Sequence, residues 1–447
     1  MLGAIDDRLA AQAPVVMVSH TMQGGCRCEN MPGLRVKYSN MEIAAAPAPR
    51  PQILVSDTRD WTKTTLEMEG PAILGIYQLL GGSQKLRYVR YDFEHNYNQT
   101  SREAVYQWFD HWLIHQTDDP IKEQPFQKEP DADLRVFPDG QLPADAISKD
   151  ALMKYIIDGH RKRLAALDPA RKRYEYEQVM WPAWEHTLQL DWRHDEFRQA
   201  GEELHAAIKD LSTGQDYSAQ ELEITRTGED RTLKVVSFIP FKGSSVQYRG
   251  KSVLLVDTKG AGPFIDEAGN PRGLALRLLK ERVAVDVLAD SGPPANPKQT
   301  DLLYTTYNRT RLQERVRDLI SIRNALANMN PNRRPYVVCG SGVAGLWCLL
   351  AAPGFGAVVA DCDQINSSDD NALLSPDLFC PGIRDIDTFQ GALALASPYR
   401  DLLLHNTGTA FELDRVRPCY KSMKAETRRF DDEEIAAWIA AVRLPGR

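Results

Sequence analysis

No stretch of this 447-residue chain approaches the roughly 20 consecutive apolar residues that cross a bilayer as a helix. Its opening, MLGAIDDRLAAQ, has neither the basic start nor the apolar centre of a signal peptide, so nothing here assigns a compartment. The seven cysteines, at 26, 28, 339, 348, 362, 380 and 419, are odd in number and lack the spacing of a disulfide framework. Positive charge is also short: 54 Lys and Arg against 61 Asp and Glu leave a net charge of −7. That balance argues against a nucleic-acid or anionic-membrane partner, since both need a basic face to displace counterions. A small neutral or polar substrate fits better. There is no short-period repeat, although two α/β series are compatible with a distant internal duplication.

What is present is an ordinary globular composition, 43% hydrophobic and 26% charged, long enough for two or three domains. Up to about His115 short β-rich runs alternate with a helical one: APVVMVS (Ala13 to Ser19), PQILVSD (Pro51 to Asp57), PAILGIYQLL and KLRYVRYDF (Lys85 to Phe93). Such alternation implies a mostly parallel sheet. A strong helix follows His95, with Ala104, Val105, Trp108, Phe109, Trp112 and Leu113 on one face and Thr100 with Glu103 as a capping box. Residues 116–150 carry five prolines among charges and read as a linker. Two polar helices are expected next, Lys149 to Leu167 and a second opened by Asp168 and Pro169. From about Tyr217 a fuller series begins: a hairpin of ELEITRT and TLKVVSFIPF, then SVLLVDTKG, VAVDVLAD, a helix from Thr306 to Ala327, PYVVCGSGVAG, GAVVADCD, RDLLLHNTG and a helix near Glu433 to Val442. The expected class is α/β, with α/β-hydrolase-type sheets: a partial one in residues 1–115 and a fuller one in 151–447.

In the first segment Asp60 closes the Pro51 strand and His95, 35 residues on, closes the next. An acid and then a histidine on successive strand-end loops is the late half of the Ser, Asp, His order of α/β-hydrolases. The carboxylate would fix the imidazole tautomer while the imidazole takes a serine's proton. His20, His111 and His115 show no partner pattern and read as structural or surface. Cys26 and Cys28 lie on no strand-to-helix elbow, and a C-x-C pair without a second pair is weak support for zinc, so no metal is expected.

The runs MQGGCRCENMPGLR (22–35), EIAAAPAPRPQILVSDTRDWT (42–62) and FEHNYNQTSREAVYQWF (93–109) resemble bacterial α/β-hydrolases of the acetyl xylan esterase type, related to the prolyl oligopeptidase and dienelactone hydrolase groups. The resemblance implies that Asp60 is the triad acid, His95 the base, and residues 22–35 an active-site loop. It implies a serine carboxylesterase acting on acetyl esters, including those of polysaccharide, in a family whose members are often exported. It also implies a GxSGG elbow about ten residues before a run like residues 2–19, so the nucleophilic serine is expected before Met1 and the chain as given is expected to be inactive. The alternative is a non-enzymatic binding or scaffold protein built from hydrolase-like modules.

In the second segment YVVCGSGVAG has the strand, turn and helix of a nucleophile elbow, but in G-x-S-x-G-G register the nucleophile's place falls on Gly342 and Ser341 stands one residue early. Gly340, Gly342 and Gly345, with Asp361 and Asp363 about 20 residues on, also fit a dinucleotide fingerprint weakly, because that motif normally opens the first βαβ unit. No histidine follows His405, so a late base is lacking and the segment reads as degenerate. Val256 to Phe264 stands where an oxyanion-hole loop would. No cofactor is called for. The unpaired edge at Ala13 to Ser19 is expected to promote self-association.

Overall fold

A computed structural model describes residues 1–21, 30–115, 119–137, 139–190, 204–213, 216–242, 245–246, 250–290, 292–294, 296–301, 303–329, 336–398, 400–421 and 423–442. Two compact units emerge: residues 1–149 with 302–308, and residues 150–301 with 309–447.

The first unit is built on two parallel strands, β1 (Gln52–Arg59) and β2 (Leu86–Glu94), joined by helix α1 (Glu69–Leu79). Alternation along β1 sends its side chains to opposite faces. Leu54 packs with Ile73 and Tyr77 of α1 on one side. Ile53 and Val55 pack on the other with Val105 and Trp108 of α2 (Gln99–Phe109). The expected Ala13 to Ser19 strand forms only two parallel bridges, Gln12 to Gln52 and Val15 to Val55. Pro14 has no N–H to give to a ladder, and Val16 turns the chain with φ +49°. Helix α2 is capped not by Thr100 but by Asn98, whose side chain accepts the Ser101 N–H at 3.1 Å. Glu103 is drawn instead to Lys122 and Gln99. Arg102 likewise grips Glu123, so residues 122–123 of the proline-rich segment are tied to α2.

The second unit opens with α3 (Lys149–Ala166) and α4 (Arg173–Thr187). Asp168 accepts the N–H groups of Ala170 and Arg171 but caps only a turn, and α4 starts at Arg173. The sheet strands are β3 (Leu204–Thr213), β4 (Tyr217–Arg226), β5 (Thr232–Lys242), β6 (Ser252–Val256), β7 (Ala284–Leu288), β8 (Tyr336–Gly340), β9 (Ala357–Asp361), β10 (Asp401–His405) and β11 (Met423–Ala425). Between them lie α5 (Gly273–Lys280), α6 (Arg311–Met329), α7 (Val343–Leu350) and α8 (Thr388–Ala396), with α9 (Asp432–Ala441) last. Spatial order is β11-β10-β9-β8-β6-β7-β5-β4-β3, with a stub at Ser245–Val246 beside β5. The three leading strands are antiparallel, and β6 to β11 are parallel with β6 and β7 exchanged. That is the α/β-hydrolase order.

The central strands are mostly apolar, as parallel strands covered on both faces are, with Ser252 and Asp286 as buried exceptions. Leu254, Val256 and Val338 face Trp184 and Trp347, while Val253, Leu255 and Val337 face Leu278 and Ile439. The helix expected from Thr306 begins at Arg311, because Thr310 and Gln313 exchange backbone and side-chain bonds as a capping box. Residues before it, 304–307, form a separate short helix.

Candidate active site

Parallel β1 and β2 run in register from Gln52 with Leu86 to Asp57 with Tyr91, and a local irregularity then sets Arg59 opposite Glu94. The next residue of each strand is therefore Asp60 and His95, side by side at the carboxyl ends where open α/β sheets bind ligands. His95 Nδ1 lies 3.3 Å from Asp60 Oδ1. The imidazole is half exposed, 50% of its side chain, while the Asp60 side chain is buried at 1%. The Thr62 hydroxyl donates to Asp60 Oδ2 at 2.7 Å. Trp61 lies against the His95 ring with centroids 4.4 Å apart and limits its rotation. Among the described residues Asp60 is the hydrogen-bond partner of His95, which leaves Nε2 uncommitted.

Beneath this pair is a second carboxylate, Asp57, fully buried, accepting Asn96 Nδ2 at 3.0 Å. Burial and the nearby Asp60 charge push its carboxyl up from the ordinary range. Asn96 also accepts the Asn98 N–H, so one asparagine connects strand end and helix cap.

An open cavity of about 680 Å³ is lined by His20, Thr21, Thr58, Arg59, Asp60, Trp61, Lys63, Thr64 and His95. His20, which the sequence left without a partner, has one: its Nδ1 is 2.7 Å from Glu69 Oε1, and its backbone N–H donates to the same oxygen at 2.8 Å. Burial pushes the Glu69 carboxyl up, but these bonds and one from the Thr64 hydroxyl outweigh it and hold the group below its usual range. A separation of 49 positions hides the pairing from sequence. The available signal was that His20, like His95, stands at the end of a β-rich run. Cys26 and Cys28 lie outside the described residues.

In the second unit the elbow forms between β8 and α7. Gly342 caps α7 with φ +54° and ψ −136°, a conformation L-residues adopt only under strain. Gly345 lets α7 cross β9 closely: a Cβ there would lie 2.1 Å from the Asp361 carbonyl oxygen. Asp361 is consumed internally, by Asn406 Nδ2 at 2.7 Å and Arg429 Nη2 at 3.1 Å. Arg429 comes from the loop after β11, and a guanidinium is no base. His405 is buried at the end of β10, and its Nδ1 accepts the Phe430 N–H at 3.2 Å. Burial pushes its pKa down. The neighbouring thiol of Cys339 is pushed up by burial to about 12, which makes it inert.

No family model and no curated protein matches the chain. Solved structures of similar fold include methylesterase BT1017, with 10% identity, TM-score 0.40, and 64% of this chain and 68% of that one covered. A glucuronoyl esterase from Solibacter usitatus gives 9%, 0.38, 58% and 90%. Acetyl xylan esterase 1 from Thermoanaerobacterium sp. gives 13%, 0.32, 56% and 87%. At these scores the likenesses add nothing to what the strand order already shows.

Proposed function

We propose that Asp60 and His95 are the acid and base of a serine carboxylesterase acting on acetyl or related esters, including those carried by polysaccharide. The observation that supports this most is the half-exposed imidazole resting by Nδ1 on a buried carboxylate, in a cleft at the carboxyl ends of two parallel strands. Asp60 holds the tautomer that leaves Nε2 free as acceptor. A serine hydroxyl brought to Nε2 gives up its proton as its oxygen attacks the ester carbonyl, and the imidazolium returns that proton to the departing alcohol. Water then repeats the sequence on the acyl-enzyme.

This reading requires a serine on a G-x-S-x-G elbow brought to His95 Nε2. Assays with p-nitrophenyl acetate separate the parts. This chain should show no hydrolysis above that of His95→Ala, whereas a form extended upstream through such an elbow should turn over and lose about 10⁴-fold in kcat on His95→Ala or Asp60→Asn. Hydrolysis by the short chain that survives His95→Ala would sink the assignment. For the second unit, with glycine at the nucleophile's place and Arg429 on the late loop, a non-catalytic binding or scaffold role is the corresponding reading.

A further inference from the structure

The cleft of the first unit holds two imidazole–carboxylate pairs of the same construction. In each, Nδ1 rests on a carboxylate that is almost wholly withdrawn from water: Asp60 with a side chain 1% exposed, Glu69 at 0%. In each the imidazole lines the cavity, at 50% exposure for His95 and 28% for His20. A histidine that merely fills space does not need this arrangement. Glu69 Oε1 receives three donors, the His20 N–H, His20 Nδ1 and the Thr64 hydroxyl at 3.1 Å, while Glu69 Oε2 is buried without a partner among the described residues. A buried carboxylate left half satisfied is costly. What it does here is fix the His20 ring by backbone and side chain together and leave Nε2 to the cavity, as a carboxylate orients a metal- or substrate-facing imidazole elsewhere.

We propose that His20, oriented by Glu69, is a positioning residue that holds a hydroxyl of the alcohol portion of the ester substrate, accepting its proton in a hydrogen bond at Nε2. The remaining lining chemistry suits a polyhydroxylated ligand. Thr21, Thr58 and Thr64 bring hydroxyls and Lys63 an ammonium to the same wall, and Trp61 brings an aromatic ring of the kind that packs on sugar faces. The proposal deepens the esterase reading and takes the ligand class from it. The binding site itself stands on the His20 to Glu69 geometry.

Two measurements decide it. With histidine-labelled whole chain at constant pH, the ring nitrogens of His20, identified with His20→Gln, are followed by NMR on addition of acetylated xylo-oligosaccharide, with sodium acetate as the second arm. Expected is a saturable shift of His20 Nε2 with the carbohydrate and about tenfold weaker binding in His20→Gln, the scale of one lost hydrogen bond. A ring that stays put, or one that moves with acetate ion and not with carbohydrate, overturns the proposal. In the upstream-extended form, His20→Gln should raise KM about tenfold with kcat retained, whereas a purely structural role would lower the melting temperature and leave KM as it was, which would also overturn it. If the extended form is inactive, the esterase reading falls while the NMR titration still decides His20.

Discussion

Gly342 turns the chain from β8 into α7 with φ +54° and ψ −136°. A Cβ added there would find Asp363 Oδ1 at 3.9 Å as its nearest neighbour, so space is not the obstacle to a side chain. The obstacle is the positive φ, whose cost for a non-glycine residue is about 1–3 kcal/mol. Gly342→Ser should therefore fold, with stability in urea lowered by about that amount, and should still fail to hydrolyse p-nitrophenyl acetate. The nearest histidine in the sheet, His405, is turned to the Phe430 N–H, and Arg429 holds Asp361. Appearance of acyl-enzyme in that variant, seen by mass spectrometry, would refute the view that the second unit has lost its base as well as its serine. The register that places Gly342 at the elbow is readable from glycine spacing alone. The arginine is not, because it reaches Asp361 across 68 residues of chain.

Helix α2 shows how an element sets the site. Its N-cap Asn98 is three residues beyond His95, and Asn96 between them bonds both Asp57 and the Asn98 N–H. Asn98→Ala removes the acceptor of the Ser101 N–H and should cost about 1 kcal/mol, with faster hydrogen exchange in the first turn of α2. Unchanged exchange there would mean that packing of Val105 and Trp108, rather than the cap, holds the helix start. The apolar face of α2 follows from its sequence at helical spacing. Its start does not, since NYNQTS offers Asn98 and Thr100 as competing caps, and the choice falls to Asn98 because Glu103 is engaged by Lys122 and Gln99.

At the scale of the second unit the most consequential charge is Asp318 on α6, buried with Arg226 Nη2 at 2.6 Å and with Arg231 Nη2 and Arg315 Nη2 each at 2.7 Å. Burial raises its carboxyl pKa, but the three guanidinium groups outweigh that and hold it below the ordinary value. A carboxyl with a lowered folded pKa adds stability that is complete above its unfolded pKa, about 3.9, and is lost as pH falls through the folded value. Asp318→Asn should cost about 3–5 kcal/mol near neutral pH by leaving buried cations uncompensated. Urea unfolding should also show a weaker loss of stability on acidification below about pH 4 in the variant than in the parent. Equal acid sensitivity of the two would assign the acid transition to other carboxylates. Only the fold brings these residues from β4, the β4–β5 turn and α6 to one point.

What the sequence by itself determined is the α/β class, the parallel strands of the second unit, and the placing of a carboxylate and an imidazole, Asp60 and His95, at successive strand ends. These follow from short-range facts: apolar runs too continuous for a half-exposed strand, turn residues between them, and a charged or imidazole side chain directly after each strand. Tertiary structure decided the rest. The offset between β1 and β2 after Asp57 sets Asp60 and His95 at 3.3 Å, folding across 49 residues gives His20 its buried Glu69, and Arg429 reaches Asp361 from the loop after β11. Each of these is a contact between groups far apart in the chain, whose energy depends on burial and distance, and neither exists until the sheet has formed.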